Sequence, residues 1–305
     1  MGHITIAIAS VGRETLAETL ISLSKIACLP GKNLTVLVAD DSKDQAAARL
    51  IARLRLEDLD IKCIPVASGN ISIARNALLD QTEGEWIVFV DDDEWVERDW
   101  LIRLFECQND YNADVVIGPV YPVYPNDAPG WLVRANPLYA DWGHRGKRLT
   151  TGRGGNTLAR MWFIRQHALR FDPALGRSGG EDTAFFANAA ARGAVIVATD
   201  DAIAREHVPP ERLEPDYILR RGIRSGQSYA NSRKLKNPGL LWQFQFGGDA
   251  VAKCTIAAIL ALALRPVDRA RSFRMKQKLA LNLGKLRALF NLPLAQLYAA
   301  NNQTK

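Results

Sequence analysis

Cysteine is scarce. The 305 residues hold four, Cys28, Cys63, Cys107 and Cys254, widely spaced and without a CxxC pair. That argues against a disulfide framework and suits a reducing compartment. The opening MGHITIAIASVGRETL lacks a basic n-region and a long apolar run. No signal peptide is read there, which places the chain in the cytoplasm, with any membrane association on the inner face. Two glycine-rich phosphate loops are also missing: Ser10-Val11-Gly12-Arg13-Glu14 fits neither GxGxxG nor GxxxxGK[ST]. No internal repeat or low-complexity segment interrupts the chain. Hydrophobic residues make up 48%, enough to bury the core of one large domain, or of one domain plus an appendage. The net charge of +6 is concentrated late in the sequence, a local property rather than a general affinity for nucleic acid.

What is present is organised around Trp86–Trp95, WIVFVDDDEW. The run Trp86–Val90 reads as an interior strand of a parallel sheet, covered on both faces, and it delivers Asp91, Asp92, Asp93 and Glu94 to its carboxyl end. Ligands of open α/β sheets bind beyond such ends. Adjacent carboxylates at a sheet edge repel, so a cation or a raised pKa must offset them. Hard oxygen donors favour magnesium, manganese or calcium, with substrate phosphates completing the site. An acidic loop on a solvated surface is the alternative.

Around it, strands at Ile4–Ser10, Asn33–Ala39, Ile61–Val66 and Ala113–Val120 alternate with helical patterns at Arg13–Ala27, Lys43–Leu56 and Ile71–Leu79. That order predicts an α/β, doubly wound, mostly parallel sheet. The second strand ends in Asp40-Asp41-Ser42, whose acids could read a nucleoside or cap the following helix.

Asp40-Asp41-Ser42, then Ile73-Ala74-Arg75-Asn76-Ala77, Asp91-Asp92-Asp93 and Gly179-Gly180-Glu181-Asp182 resemble the ordered signature of family 2 glycosyltransferases of the GT-A fold, in particular the succinoglycan-type exopolysaccharide β-glucosyltransferases. The likeness covers about three quarters of the chain. It implies a nucleotide-diphospho-sugar donor, a divalent metal (Mn2+ or Mg2+) and inversion at the anomeric carbon. Carried over, it gives Asp40 or Asp41 to uracil, Arg75 to the nucleotide, and Asp91, Asp92 and Asp93 to the DxD element. Alternation along an extended chain turns Asp91 and Asp93 the same way, about 6.6 Å apart. One acid would serve ribose or an ordered water and Asp93 the metal. The third consecutive acid leaves the role of Asp92 open. Asp182 is the general base expected of an inverting transfer, which needs one carboxylate to take the acceptor proton. Its alternative is helix capping. His207, before Pro209-Pro210, stands where several GT-A enzymes place an additional metal ligand; a structural histidine is the alternative. The processive-synthase motif QxxRW is absent where Arg224–Ser228 reads RSGQS, which favours one sugar per encounter.

The stretch Tyr121–Gly152, with Tyr121, Tyr124, Trp131, Tyr139 and Trp142, reads as a long loop that either stacks on an acceptor sugar or clamps itself to the body. Residues 1–235 are thus expected to form the catalytic domain, with 1–120 the nucleotide half and 121–235 the acceptor half; 236–305 would be a basic amphipathic helical appendage. Its apolar Ala250–Leu264 is too short for a confident span, and the basic residues beyond it suit peripheral contact with an anionic leaflet. The expected activity is transfer of a hexose, glucose from UDP-glucose, to a saccharide or lipid-linked glycan in exopolysaccharide synthesis. A sugar nucleotidyltransferase and a non-catalytic nucleotide-sugar or polysaccharide-binding module are the rivals.

Overall fold

The computed structural model describes residues 2–27, 29–236 and 239–295. Two compact units are present: the described residues up to Val123 together with Ala140–His207, and Tyr124–Tyr139 together with the described residues from Val208 onward. The second unit therefore takes in part of the long Tyr121–Gly152 stretch as well as the C-terminal region. Cys63, Cys107 and Cys254 are free thiols, and Cys28 lies outside the described residues.

The first unit is built on strands β1 (Gly2–Ser10), β2 (Lys32–Asp40), β3 (Ile61–Pro65), β4 (Trp86–Phe89), β5 (Glu94–Val96), β6 (Val115–Ile117), β7 (Val120–Val123), β8 (Thr157–Arg160), β9 (Ile196–Ala198) and β10 (Ala204–His207). Its helices are α1 (Thr15–Leu23), α2 (Ala46–Leu54), α3 (Ile71–Gln81), α4 (Trp100–Tyr111), α6 (Met161–Gln166) and α7 (Glu181–Ala191). The helix α5 (Gly130–Ala135) belongs to the second unit. Seven strands pair in the order β3-β2-β1-β4-β8-β6-β9, and β5-β10-β7 form a second sheet. The strands β1 to β4 run parallel, while β8 is antiparallel to both β4 and β6.

Both faces of the large sheet are buried, as the apolar strand sequences require. Along β4 and its extension, Trp86, Val88 and Val90 join one core with Leu16, Leu20 and Trp100; Ile87 and Phe89 join the other with Leu78, Phe171 and Phe186. Each such side chain contributes roughly 1.5–3 kcal/mol when fully buried. Because the sheet is so anchored, the carboxyl ends of β1, β2 and β4 form one fixed rim.

One strand reading needs correction. Ala113–Val120 is two strands in different sheets, broken at Gly118-Pro119, where Gly118 N–H donates to Asn156 O (2.9 Å). The buried Asn156 holds the break: its Nδ2 donates to Pro119 O (2.7 Å) and Ala202 O (2.8 Å), and its Oδ1 accepts from Trp100 Nε1 (2.6 Å).

The second unit contains α5 and the helices α8 (Pro215–Lys236), α9 (Leu240–Leu264) and α10 (Arg269–Leu289). In the aromatic stretch Tyr121–Gly152, Trp131 meets Phe273 edge-on (5.2 Å) under the guanidinium of Arg269 (4.2 Å), and Tyr124 hydroxyl donates to Asn136 (3.0 Å). Trp131 thus clamps the segment to α10, while Tyr124 ties it internally. Helices α8 and α10 touch backbone to backbone: a Cβ on Gly226 would lie 1.9 Å from Leu281 O, and one on Gly284 2.0 Å from Ile223 O. Gly226→Ala is therefore expected to cost about 1–3 kcal/mol by overpacking. Urea unfolding of the variant checks this, and an unchanged midpoint would mean that the crossing is looser. Arg220 and Arg224, one helical face of α8, serve local structure: Arg220 pairs with Asp216 (3.1 Å) and the buried Arg224 donates to Ala295 O (3.5 Å).

Candidate active site

The rim at the ends of β1, β2 and β4 carries most of the acids that the sequence singles out. Asp40 and Asp41 are both buried at the end of β2, and both hold backbone in place. Asp40 Oδ1 accepts from Ser42 N–H (3.0 Å) and hydroxyl (2.6 Å), and its Oδ2 accepts from Ala48 N–H (3.0 Å), which caps α2. Asp41 organises the turn before α3: Oδ1 accepts from Ser68 hydroxyl (2.9 Å) and Gly69 N–H (3.0 Å), and Oδ2 from Asn70 N–H (2.9 Å). Asp40 is 1% exposed and closed to a ligand; Asp41, at 9%, lies nearer the surface.

Past β4 the acids alternate as an extended chain should. The side chains of Asp91 and Asp93 keep 35% and 15% exposure, whereas Asp92 is 1% exposed. Asp92 accepts from Ser10 hydroxyl (2.6 Å) and from Arg13, whose Nη1 also reaches Asp93 Oδ2 (3.1 Å). Burial pushes the Asp92 carboxyl up, opposed by Arg13 and by the Ser10 hydrogen bond. Asp92 thus locks the end of β4 to the end of β1 and offers a ligand no free face. Glu94 turns fully inward; burial raises its carboxyl well above the usual range, against the pull of Arg153, whose Nη2 donates to Oε1 (2.7 Å).

Arg75 joins this edge to the fourth motif. Its Nη1 donates to Glu181 Oε1 (2.7 Å) and its Nη2 to Asp91 Oδ1 (3.0 Å), while Cζ lies 5.6 Å from the centre of the Phe171 ring. The sequence reading gives Arg75 to the nucleotide. In the structure the guanidinium is 6% exposed and engages two protein carboxylates, because a buried cation must be paired. Burial raises the Glu181 carboxyl, as does neighbouring Asp182, with Arg75 opposing both.

Asp182 sits half-buried in the first turn of α7, after Gly179 and Gly180 at φ 81° and 93°, a backbone that favours glycine. Its Oδ2 accepts from Gly154 N–H (3.2 Å) and its Oδ1 from Thr183 N–H (2.6 Å). The loop that contributes Gly154 also contributes Arg153 to Glu94, so Asp182 stands on the side of the sheet where the β4 acids emerge. That loop has no room for side chains: a Cβ on Gly154 would lie 2.2 Å from Arg75 Nη2, and one on Gly155 2.3 Å from Glu94 Oε1.

His207 ends β10. Antiparallel pairing with β5 ends at Glu206 opposite Glu94, and on the other side His207 pairs with Val123 of β7. Its ring lies against Trp95 (4.4 Å) and its Nε2 is 3.2 Å from Glu18 Oε2. Among the described residues no three His, Cys, Asp or Glu side chains converge into a ready-made cation site. A carboxylate and an imidazole are donor types that hard to borderline divalent ions accept.

Arg13 and Arg153 were not singled out by the sequence reading, and Glu94 was read only as the last of the four acids at the strand end. The usable signal was topological. Thr157 pairs with Phe89 in the antiparallel β4–β8 ladder, which lays the residues before Thr157 beside those after Phe89.

Solved structures share this architecture. The mannosyltransferase PcManGT from Pyrobaculum calidifontis, in complex with GDP-Man and Mn2+, superposes with a TM-score of 0.63 at 18% identity, covering 94% of this chain and 87% of that one. Staphylococcus aureus TarS 1–349 in complex with UDP-GlcNAc gives 0.56 at 18% identity, covering 96% and 93%. The fold is that of the GT-A glycosyltransferases. The family model for glycosyl transferase family 2 matches residues 5–171, and the chain belongs to that family. It is 34% identical to the succinoglycan biosynthesis protein ExoM of Rhizobium meliloti (strain 1021), over 99% of this chain and 97% of the relative. The chain is a glycosyltransferase.

Proposed function

We propose that this enzyme transfers a hexose, glucose from UDP-glucose, with inversion to a saccharide or lipid-linked glycan acceptor in exopolysaccharide synthesis. One observation carries the reading: the Arg75 guanidinium ties Asp91 to Glu181, so that Asp182, next in sequence, and the β4 acids belong to one braced rim. The full-length likeness to a succinoglycan biosynthesis protein supports the pathway class, and the UDP-GlcNAc complex of TarS supports a UDP-linked donor.

In this reading Asp41 and the turn 68–70 that it organises form the base end of the donor site, with Asp40 beneath as its support. Asp91 faces the ribose or an ordered water. Asp93 and His207 would hold the divalent ion, whose charge stabilises the departing diphosphate. Arg13, half-exposed over Asp92 and Asp93, neutralises the pair until the donor and its cation arrive. Asp182 accepts the proton of the acceptor hydroxyl as that oxygen bonds to the anomeric carbon and the bond from carbon to diphosphate oxygen breaks. The missing QxxRW motif supports release after each addition.

A thermal-shift screen of nucleotide sugars with and without Mn2+ tests the donor and the cation together. UDP-glucose with Mn2+ should raise the melting temperature most, since a ligand at 100 times its Kd adds about 2.7 kcal/mol to the folded state. Equal stabilisation by a guanine or thymine nucleotide sugar would remove the UDP-glucose clause; an EDTA-insensitive shift would remove the cation. Donor hydrolysis in the same samples separates an enzyme from a binding module.

A further inference from the structure

We propose that the outward face of α9 is a docking surface for an anionic lipid bilayer, with the helix lying in the headgroup plane instead of crossing the membrane. This stands apart from the transfer chemistry proposed above, and its test reads partitioning, not catalysis.

The helix is two-faced. Its inner face is made of small residues, with Ala250, Ala257 and Ala261 buried. They let α10 run alongside, antiparallel, for the full length. A Cβ on Gly247 would lie 3.2 Å from Leu289, Cys254 Sγ approaches Leu279 O (3.9 Å), and Ser272 hydroxyl donates to Ala261 O (2.7 Å). The outer face is apolar and open: Phe244, Ile259 and Leu262 are 78%, 60% and 70% exposed, and Val267, in the connection just past the helix, is 83% exposed. Leu241 and Ile256 continue the row. Scattered exposed apolar residues are ordinary, but a continuous row marks an interaction site.

Charge decides the occupant. From Leu240 to Leu289 the chain has nine basic residues and two acidic ones, an excess greater than the +6 of the whole sequence. Both acids are already paired, Asp249 with Lys253 (2.7 Å) and Asp268 with Arg271 (3.3 Å). Arg265 lies just beyond Leu262, and Arg271, Lys276 and Lys278 are exposed on the partner helix. An apolar face with basic flanks fits the boundary between acyl chains and anionic headgroups.

Geometry decides the orientation. The helix α9 has 25 residues and is long and apolar enough to cross a membrane, with only 22% of its most apolar stretch buried. The reading of Ala250–Leu264 as a shorter apolar run missed its first turns, which carry Leu240, Leu241, Trp242, Phe244 and Phe246. Spanning would nevertheless carry α10 with it, and Arg271, Arg274, Lys276 and Lys278 would enter hydrocarbon, which is strongly disfavoured. Lying flat submerges the apolar row and leaves those charges at the headgroups.

The test is co-flotation of the full-length protein with phosphatidylglycerol-rich and with pure phosphatidylcholine vesicles. Wild-type protein should float with the first and stay behind with the second. The Ile259→Glu/Leu262→Glu variant should lose at least about tenfold in partition coefficient, since charges placed in the acyl region are expelled. Lys276→Ala/Lys278→Ala should lose about fivefold per charge at low salt. Both pairs are on the surface, and an unchanged melting temperature verifies their fold; should the first pair unfold the protein, the second pair and the lipid dependence of wild type decide. Absence of flotation, equal flotation on neutral vesicles, or wild-type partitioning of the folded variants would overturn the proposal. So would a wild-type dimer in light scattering that the Ile259→Glu/Leu262→Glu pair dissociates, which would make the face a self-interface.

Discussion

Asp182→Asn is expected to lower sugar transfer by about 10²–10⁴-fold, the contribution of a positioned general base, while donor affinity stays within a factor of two or three. The amide keeps the side chain's size, and its one oxygen can still accept from Thr183 N–H, which holds the side chain on α7, while the bond from Gly154 N–H to the second carboxylate oxygen is given up. What it loses is the capacity to take a proton. Initial rates and isothermal titration with UDP and Mn2+ on the same preparation separate the two effects. Loss of donor binding in proportion to rate would make Asp182 a binding residue, and substantial turnover would remove it from the proposed role.

Arg75→Met should produce the largest loss of stability, about 3–5 kcal/mol, because it leaves Glu181 buried and Asp91 without its close partner. Methionine keeps much of the volume against Phe171, so the missing charge dominates over the missing packing. Arg75→Lys should recover little: an ammonium is a single point of charge and cannot bridge two carboxylates as the guanidinium fork does. Adding Glu181→Gln to Arg75→Met should regain part of the loss by removing the stranded charge. Urea unfolding of the three variants checks this series. A single variant as stable as wild type would mean that water reaches the pair and the brace is weak.

Much of this arrangement was legible from the residues, for physical reasons that also mark where reading stops. The strand Trp86–Val90 announces itself because a strand buried on both faces needs unbroken apolar sequence, and the acids after it stand out by contrast. Alternation then separates Asp91 and Asp93 from Asp92. Which of four adjacent acids is buried depends on what lies opposite. Glu94 became an interior residue because the antiparallel β8 brings Arg153 to it, a pairing between residues 59 apart that no local pattern records. The role of Arg75 was hidden for the same reason, since its two partners are 16 and 106 residues away. The first half of α9 was missed because the unbroken apolar run begins only at Ala250, whereas the helix starts at Leu240, and Gly247 within it packs against Leu289 of α10. The stretch Tyr121–Gly152 left stacking on a sugar and clamping to the body both open because aromatics serve sugars and cores alike; for Trp131 the contacts with Phe273 and Arg269 show the second use.

The anomeric configuration of the glycoside formed from an α-linked UDP-sugar, read by proton NMR, tests the single-displacement chemistry assigned to this rim most directly. One base, Asp182, acting on the acceptor across from the diphosphate predicts a β-glycoside as the sole product. An α-glycoside would require a double displacement or same-face attack and would contradict the account.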